Sequence, residues 1–223
     1  MSLAEGRTTT KSGAAYLALF RAIVTSEIKP SEALDEVELC ARFNLGRTPI
    51  REAVKRLALE GVVTWPERRS PYVRAIDATE QDRLDEARTT LEISTAALAA
   101  QRATPRQVNG LYEECENLER LFKAGDIYEG VLSAYRFHQR VAEAADNRFL
   151  ADAVGTLNMS TLRQWYAALS TQDTSNVASE HRDIADAIKQ RDRALVVELM
   201  TNDMHVSRAR QELLRAAEPP GTR

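Results

Sequence analysis

The apolar positions between residues 45 and 59 follow the period of an α-helix. They recur at i, i+3, i+4 and i+7, which is the spacing of one buried helix face. These residues are Ile50, Ala53, Val54 and Leu57. Pro49 precedes the stripe, and proline is tolerated in the first turn of a helix, where no backbone N–H is needed. The pattern therefore predicts a helix that begins within a turn of Pro49, with Gly46 or Thr48 as its N-cap.

The opposite face of the same helix is cationic. Arg47, Arg51 and Lys55 recur at four-residue steps, and Arg56 lies beside them. A short helix with an apolar back and a cationic front can enter the major groove of DNA, where its N-terminal residues reach base edges. The alternative is a solvated surface helix that merely carries arginines, and the helix taken alone favours that interpretation.

The flanking segments change the balance, because they predict a helix-turn-helix followed by a wing. The predicted flanking helices span 13–27 and 34–43, and the predicted strands span 62–65 and 72–74. Asn44 and Gly46 lie in the tight connection before the cationic helix. The turn between the two strands carries the adjacent cations Arg68 and Arg69. This order of elements is typical of a DNA-binding module. A solvated surface helix that merely carries arginines would not require it.

From residue 79 onward the pattern is helical, with no convincing strand. The predicted helices span 79–101, 105–124, 127–145, 148–170, 177–190 and 192–216. The predicted fold class is therefore mainly α. A winged helix-turn-helix domain with a two-stranded wing is expected over 12–76, and an all-α antiparallel helical bundle over 79–216. Residues 1–11 are expected to form a disordered arm, and 217–223 a frayed tail.

Composition and charge are consistent with a two-domain DNA-binding protein of this kind. The 223 residues suffice for two domains. Residues 1–77 hold 12 Lys/Arg against 10 Asp/Glu, a net of only +2, so DNA binding must depend on placing cations on one face and on dimerisation. The absence of a transmembrane-length apolar run and of a signal-peptide core predicts a cytoplasmic protein with no membrane partner. Cys40 and Cys115 are expected to be reduced and buried.

The stretch from Gly46 to Val54, GRTPIREAV, closely resembles the winged-helix signature of GntR-type bacterial transcription regulators. The resemblance implies a homodimer that binds a pseudo-palindromic operator in double-stranded DNA, with base contacts from Arg47 and Arg51. The family usually has a glycine near the wing tip where Ser70 stands here, and the two adjacent arginines can compensate by contacting phosphates or a narrow minor groove. The predicted DNA-binding residues are Arg47, Thr48, Pro49, Arg51, Lys55, Arg68, Arg69 and Ser70.

The helical part resembles the acid-sensing FCD effector domain of the FadR branch of this family. The matching positions are Arg88, Leu91 and Glu92, Phe137 and His138 with Asn147, and Glu180, His181 and His205. Six helices rather than seven point to the VanR-like subgroup. The resemblance implies a small carboxylic acid as effector. Asn147 itself is expected to be only a helix N-cap.

The resemblance also implies a metal site. The chain has three histidines, His138, His181 and His205, and all three fall where the family places metal-binding histidines. Imidazoles suit Zn²⁺, Ni²⁺ or similar ions. The family's fourth ligand is an aspartate, and Ala134 stands at its position here. Either an ion binds weakly and water or the effector's carboxylate completes its shell, which is the favoured outcome, or the histidines hydrogen-bond the effector directly. Three unrelated buried histidines are the least favoured alternative.

Arg88 is the expected partner of the effector's carboxylate, because a guanidinium can hold a carboxylate through two hydrogen bonds. The alternative is an ion pair between Arg88 and Glu92 on one helix face. Arg163 and Trp165 are further candidates for the pocket, with core packing favoured for Trp165. A three-histidine metal site with an open position could also serve a metal-dependent enzyme. A non-enzymatic regulator is favoured, since an enzyme would leave the winged helix unexplained.

Overall fold

The computed structural model describes residues 10–217. The chain divides into two compact units, one ending at Ala78 and one beginning at Thr79. The first unit contains the predicted helix-turn-helix and wing. Its elements are α1 (Lys11–Val24), α2 (Glu36–Phe43), α3 (Arg47–Leu59), β1 (Val63–Thr64) and β2 (Tyr72–Val73). The two strands pair antiparallel, with Val63 opposite Val73 and Thr64 opposite Tyr72.

The first helix begins and ends earlier than the predicted span of 13–27. The hydroxyl of Thr10 accepts a hydrogen bond from the Gly13 N–H at 3.1 Å, so the helix begins at Lys11. It ends at Val24 because Ser26 adopts a left-handed backbone, with φ of 60°, which cannot continue a right-handed helix. The expected arm over 1–11 falls largely on residues 1–9, which lie outside the described residues, but Lys11 is helical.

The connection between α2 and α3 has the geometry that its sequence predicts. Asn44 takes the left-handed conformation, with φ of 52° and ψ of 47°, and asparagine tolerates that region better than most residues. Of the two candidate N-caps for α3, the structure uses Gly46, and Pro49 lies in the first turn. The buried face of α3 consists of the four predicted apolar residues. The cationic face is thereby turned away from the core.

The second unit contains six helices among its described residues, as predicted. They are α4 (Ala78–Arg102), α5 (Pro105–Lys123), α6 (Ile127–Ala144), α7 (Arg148–Leu169), α8 (Val177–Lys189) and α9 (Arg193–Ala217). Side-chain caps fix several of their starts. Thr104 and Gln107 form a capping box at α5. Asn147 is the N-cap of α7, where its side chain accepts from the Phe149 and Leu150 N–H groups, which confirms that prediction.

The core of the second unit lies between α4, α5, α6, α8 and α9. It is built from small and medium apolar side chains, with Phe137 as its largest member. Cys115 belongs to this core and is a free thiol, whose pKa burial raises to about 12. Cys40 is also free but only half-buried, so the expectation that both cysteines are buried holds for Cys115 alone.

Candidate functional site

A cavity of about 490 Å³, part of it open to solvent, lies between α6, α7, α8 and α9. One part of its wall is aliphatic. These residues are Ala134, Ala168, Leu169, Val177 and Val206. The rest of the wall is polar and includes two of the three histidines of the chain. A mostly apolar cavity with a few converging polar groups is the usual form of a small-molecule site.

His138, His181 and Asp203 converge at this cavity. All three are buried, and one potential ligand atom from each lies within 4.8 Å of the other two. His138 comes from α6, His181 from α8 and Asp203 from α9. Three separate helices are therefore needed to assemble the cluster, and their packing fixes its geometry.

The protonation of His181 is set by the backbone. Its Nδ1 lies 2.8 Å from the carbonyl oxygen of Val177, which can only accept, so Nδ1 carries the proton. Its Nε2 is buried and has no hydrogen-bond partner among the described residues. Burial lowers the pKa of His181 to about 4, with a further contribution from His138. A neutral imidazole therefore presents an unused lone pair to the cluster.

His138 is oriented by a carboxylate behind it. Its Nδ1 lies 2.7 Å from Oε2 of Glu92, and its Nε2 lies 3.6 Å from Oδ2 of Asp203. Glu92 is itself held by Arg88, whose Nη2 donates to its Oε1 at 3.2 Å. A carboxylate on Nδ1 is the usual arrangement behind a metal-binding histidine, because it fixes the ring and directs Nε2 to the metal.

The two buried groups Glu92 and His138 stabilise each other's charge. Burial alone would raise the pKa of Glu92, but His138 and Arg88 outweigh it and lower that pKa to about 2. Burial would likewise lower the pKa of His138, but Glu92 and Asp203 outweigh it and raise that pKa above its ordinary value. His138 therefore keeps its proton to a higher pH than an ordinary histidine, and a metal ion would compete with that proton.

The cluster fits a divalent metal ion. Two imidazole Nε2 atoms and one carboxylate form a ligand set that suits Zn²⁺, Ni²⁺ and related ions and leaves coordination positions open. The orphaned Nε2 of His181 and the carboxylate behind His138 are the two features that such a site requires. His138, His181 and Asp203 would hold the ion, which would supply a Lewis-acidic positive charge at the cavity wall.

The prediction that His205 joins the other histidines is corrected. The side chain of His205 is exposed. It lies two residues after Asp203 on α9, and residues two apart point to roughly opposite sides of a helix. Ala134 lines the cavity, as its position implied, but the carboxylate lost there is supplied by Asp203. The fold therefore assembles two imidazoles and one carboxylate at this cavity, and not three imidazoles.

The expectation for Arg88 is also corrected. Its side chain is 2% exposed, and its guanidinium already contacts Glu92, Asp85 at 3.4 Å and Asn158 at 2.8 Å. Arg88 is not among the residues that line the cavity, and the alternative ion pair with Glu92 is present in buried form. Among the described residues of the cavity wall, Arg210 is the one arginine or lysine.

Trp165 combines the two roles that its sequence position left open. It is 7% exposed and it lines the cavity. Its ring contacts the Arg88 guanidinium, which lies 4.7 Å from the ring centroid, and the His138 ring, whose centroid lies 5.7 Å away. Arg163 does not line the cavity.

In the first unit, the predicted DNA-binding side chains are accessible. Arg47, Thr48, Arg51 and Lys55 are exposed on α3, Pro49 is half-buried, and Arg68, Arg69 and Ser70 are exposed at the wing tip. Arg51 pairs with Glu36 at 3.0 Å, but its side chain remains 60% exposed, so this pair is weak and easily broken. Arg56 instead turns inward, toward Glu60 at 2.9 Å and over the Tyr16 ring at 3.7 Å.

The first unit is a winged helix with an exposed cationic helix, and the second encloses a mostly apolar cavity with a few converging polar groups. Together these features define a ligand-responsive DNA-binding regulator. The chain belongs to the GntR family of bacterial regulatory proteins, in the branch that carries an FCD domain. Residues 11–73 match the description "Bacterial regulatory proteins, gntR family", and residues 84–206 match the FCD domain. None of the helices in the described part of the chain has a stretch apolar enough to span a bilayer.

Proteins of similar sequence include transcription regulators from other bacteria. The Nta operon transcriptional regulator of Aminobacter aminovorans is 31% identical over 60% of this chain and 64% of its own length. The HTH-type transcriptional repressor RspR of Escherichia coli is 28% identical over 85% of this chain and 83% of its own length. The solved structure of E. coli McbR/YncC shares the fold, with a TM-score of 0.76 at 17% identity, over 93% of this chain and 100% of that one. The enzyme alternative gains no support from these relatives.

Metal binding at this cluster should weaken as the pH falls. The raised pKa of His138 means that an ion must displace its proton, and protons compete with metals for imidazole nitrogen. Below that pKa, affinity for Ni²⁺ should fall by up to about tenfold per pH unit. Calorimetry over a series of pH values, in buffers of different ionisation enthalpy, should show tighter binding as the pH rises and the release of protons on binding. A pH-independent affinity would contradict the assignment of His138.

Proposed function

We propose that this DNA-binding transcription regulator acts as a cytoplasmic homodimer on a pseudo-palindromic operator, and that a metal ion and a small organic acid in the helical unit change its affinity for DNA. The observation that carries the effector part is the convergence of His138, His181 and Asp203 on a cavity that also contains Arg210. An ion and a guanidinium on one cavity wall are the two groups that bind a carboxylate most strongly.

The charge of the cavity wall supports a metal-dependent acid site. The carboxylates Glu180 and Asp203 oppose the guanidinium of Arg210 and His138, whose raised pKa favours its charged form, so the wall without an ion has no excess of positive charge. Burial raises the pKa of Glu180, and Arg210 opposes that shift. A divalent ion on Asp203 makes the wall positive, and a low-dielectric cavity strengthens its attraction for an anion. The acid should therefore bind well only when the ion is present.

Homodimerisation is proposed on energetic grounds. A single winged helix with a net charge of only +2 over residues 1–77 releases few counterions on binding DNA. Two such modules on one operator double the phosphate and base contacts, and symmetric dimers read pseudo-palindromic sites. Sedimentation at micromolar concentration should show a dimer, and one dimer should bind each operator. A monomer that binds one operator alone would overturn this part of the proposal.

The dependence of acid binding on metal is directly measurable. Hexanoate, as a simple monocarboxylic probe, should bind Ni²⁺-loaded protein about 5–150-fold more tightly than chelator-treated protein, the range expected for coupled sites. The same coupling must appear as tighter Ni²⁺ binding in the presence of hexanoate, because linkage is reciprocal. Arg210→Met should weaken hexanoate binding while leaving Ni²⁺ affinity unchanged. Equal hexanoate affinity with and without the ion would contradict a metal-bound carboxylate.

A further inference from the structure

Two buried side chains in the cavity wall carry polar atoms that the metal and the carboxylate do not use. Trp165 is 7% exposed and Gln211 is 3% exposed. Nε1 of Trp165 and Oε1 of Gln211 have no hydrogen-bond partner among the described residues. Both residues line the cavity. Buried polar atoms are almost always paired in proteins, so two unpaired ones on one cavity indicate a ligand that pairs them.

Both side chains are held in place by their surroundings. The Trp165 ring packs against Arg88 and His138, and Arg88 is itself fixed by Glu92 and Asn158. Gln211 donates its amide N–H to the hydroxyl of Ser207 at 3.5 Å, one turn earlier on α9, which leaves Oε1 as its free atom. Both side chains are therefore held at the cavity wall before any ligand arrives, as specificity-determining groups must be.

The chemistry of these atoms limits the ligand group that they can recognise. The indole N–H of Trp165 can only donate, and Oε1 of Gln211 can only accept. A hydroxyl does both at once, since it accepts one hydrogen bond and donates another. A second carboxylate would satisfy Trp165 but would place an anionic oxygen against Oε1 of Gln211. An ammonium would satisfy Gln211 alone, and an alkyl group would satisfy neither.

Most of the remaining wall is aliphatic, which disfavours a heavily hydroxylated ligand. Ala168, Leu169, Val177 and Val206 offer only aliphatic surface, together with the small Ala134. Hydroxyls placed against these side chains would lose their hydrogen bonds to water without replacement. We propose that the effector is an aliphatic hydroxy acid, whose carboxylate lies on the metal side of the cavity and whose hydroxyl is bound by Trp165 and Gln211. This inference rests on the proposed function.

Pairs of acids with one carbon skeleton test the inference on the wild-type protein. Hexanoate, the 3-, 5- and 6-hydroxyhexanoates, adipate and gluconate would be titrated into Ni²⁺-loaded full-length protein by calorimetry. At least one hydroxyhexanoate should bind roughly 10-fold more tightly than hexanoate, because it pairs buried atoms that hexanoate leaves unpaired. Adipate and gluconate should both bind more weakly than that hydroxyhexanoate.

Variants then assign the preference to its residues. Gln211→Met keeps the length of the side chain and removes its polar atoms, and Trp165→Phe removes the N–H while keeping an aromatic ring. Each should reduce the preference for the hydroxyhexanoate to about threefold or less, whereas Gln190→Met, the same substitution at an exposed position, should leave it unchanged. The ratio of two affinities does not respond to a general loss of stability.

The outcomes separate this inference from the proposed function. If hexanoate and every hydroxyhexanoate bind the wild type equally, an acid site exists and the hydroxyl recognition is wrong. If the preference exists but survives in Gln211→Met and Trp165→Phe, these residues are not its source, and the inference is overturned. If none of the six acids binds the Ni²⁺-loaded protein, both the acid effector and this inference fail.

Discussion

Replacing Asp203 by alanine should lower the affinity for Zn²⁺ or Ni²⁺ by more than about 100-fold, since loss of even a group behind a ligand costs about 10–100-fold. The aspartate is the one anionic ligand of the His138–His181–Asp203 cluster. Without it, two neutral imidazoles remain, and the full charge of the ion is no longer compensated by the protein. Calorimetry on metal-free protein gives the affinity, and thermal unfolding checks that the variant is folded.

His205→Ala is the matched control for this experiment. His205 stands two residues further along the same helix, is exposed, and is the residue that the family resemblance implied as the third ligand. Its replacement should leave metal affinity within about twofold of the wild type, as for other surface substitutions. The reverse outcome, in which His205→Ala loses the metal and Asp203→Ala keeps it, would show that α9 presents a different face to the cavity.

Replacing Arg51 by alanine should weaken specific operator binding by about 1–3 kcal/mol and relax the base preference at one position of each half-site, as expected for a lost bidentate contact to guanine. Arg47→Ala should act in the same way at a neighbouring base. Arg51 loses only a weak surface ion pair with Glu36 when it contacts DNA. Most of the free energy of the contact with guanine therefore contributes to the operator affinity. Band-shift titrations on an operator selected from random DNA would measure both effects.

Two further variants show whether the effect depends on base contacts. Arg69→Ala, at the wing tip, should weaken binding evenly across DNA sequences. It should also make the slope of log affinity against log salt concentration shallower by about one, the contribution of one phosphate contact. Arg120→Ala, on an exposed face of the helical unit, should change neither affinity nor specificity. If Arg47→Ala and Arg51→Ala both bind DNA as the wild type does, the assignment of α3 to the DNA interface is wrong.

The DNA-binding unit was predictable because its signals are local. Pro49, the spacing of the apolar stripe and the left-handed preference of Asn44 each act within a few residues, and the structure keeps all three. The predicted bounds of the first helix were wrong by two residues at its start and three at its end. Its start depends on the Thr10 cap and its end on the backbone of Ser26, and neither feature changes the hydrophobic pattern.

The metal ligands were only partly predictable, although one local signal was available. The buried stripe of α9 includes Val196, Met200 and Met204, and Asp203 continues it three residues after Met200. His205 lies off that stripe. The helical period therefore indicated that Asp203, and not His205, faces inward, whereas the match to histidine positions pointed the other way.

The role of Arg88 required the tertiary structure. Its partner Glu92 is four residues away on the same helix, but Asn158 is 70 residues away on α7. Only the packing of α4 against these neighbours shows that the guanidinium is already occupied. The unpaired atoms of Trp165 and Gln211 were equally invisible, because a sequence does not show which polar atoms lack a partner.

The proposed control of DNA binding by the helical unit is tested most directly by fluorescence anisotropy with a labelled operator. Wild-type protein should change its operator affinity by about 5–150-fold when Ni²⁺ and an acid that it binds are added together. Asp203→Ala should bind the same operator with wild-type affinity before the addition, and should not respond to it. An equal response in both proteins, or no response in wild type with both ligands bound, would contradict the assignment of His138, His181 and Asp203 as the sensing site.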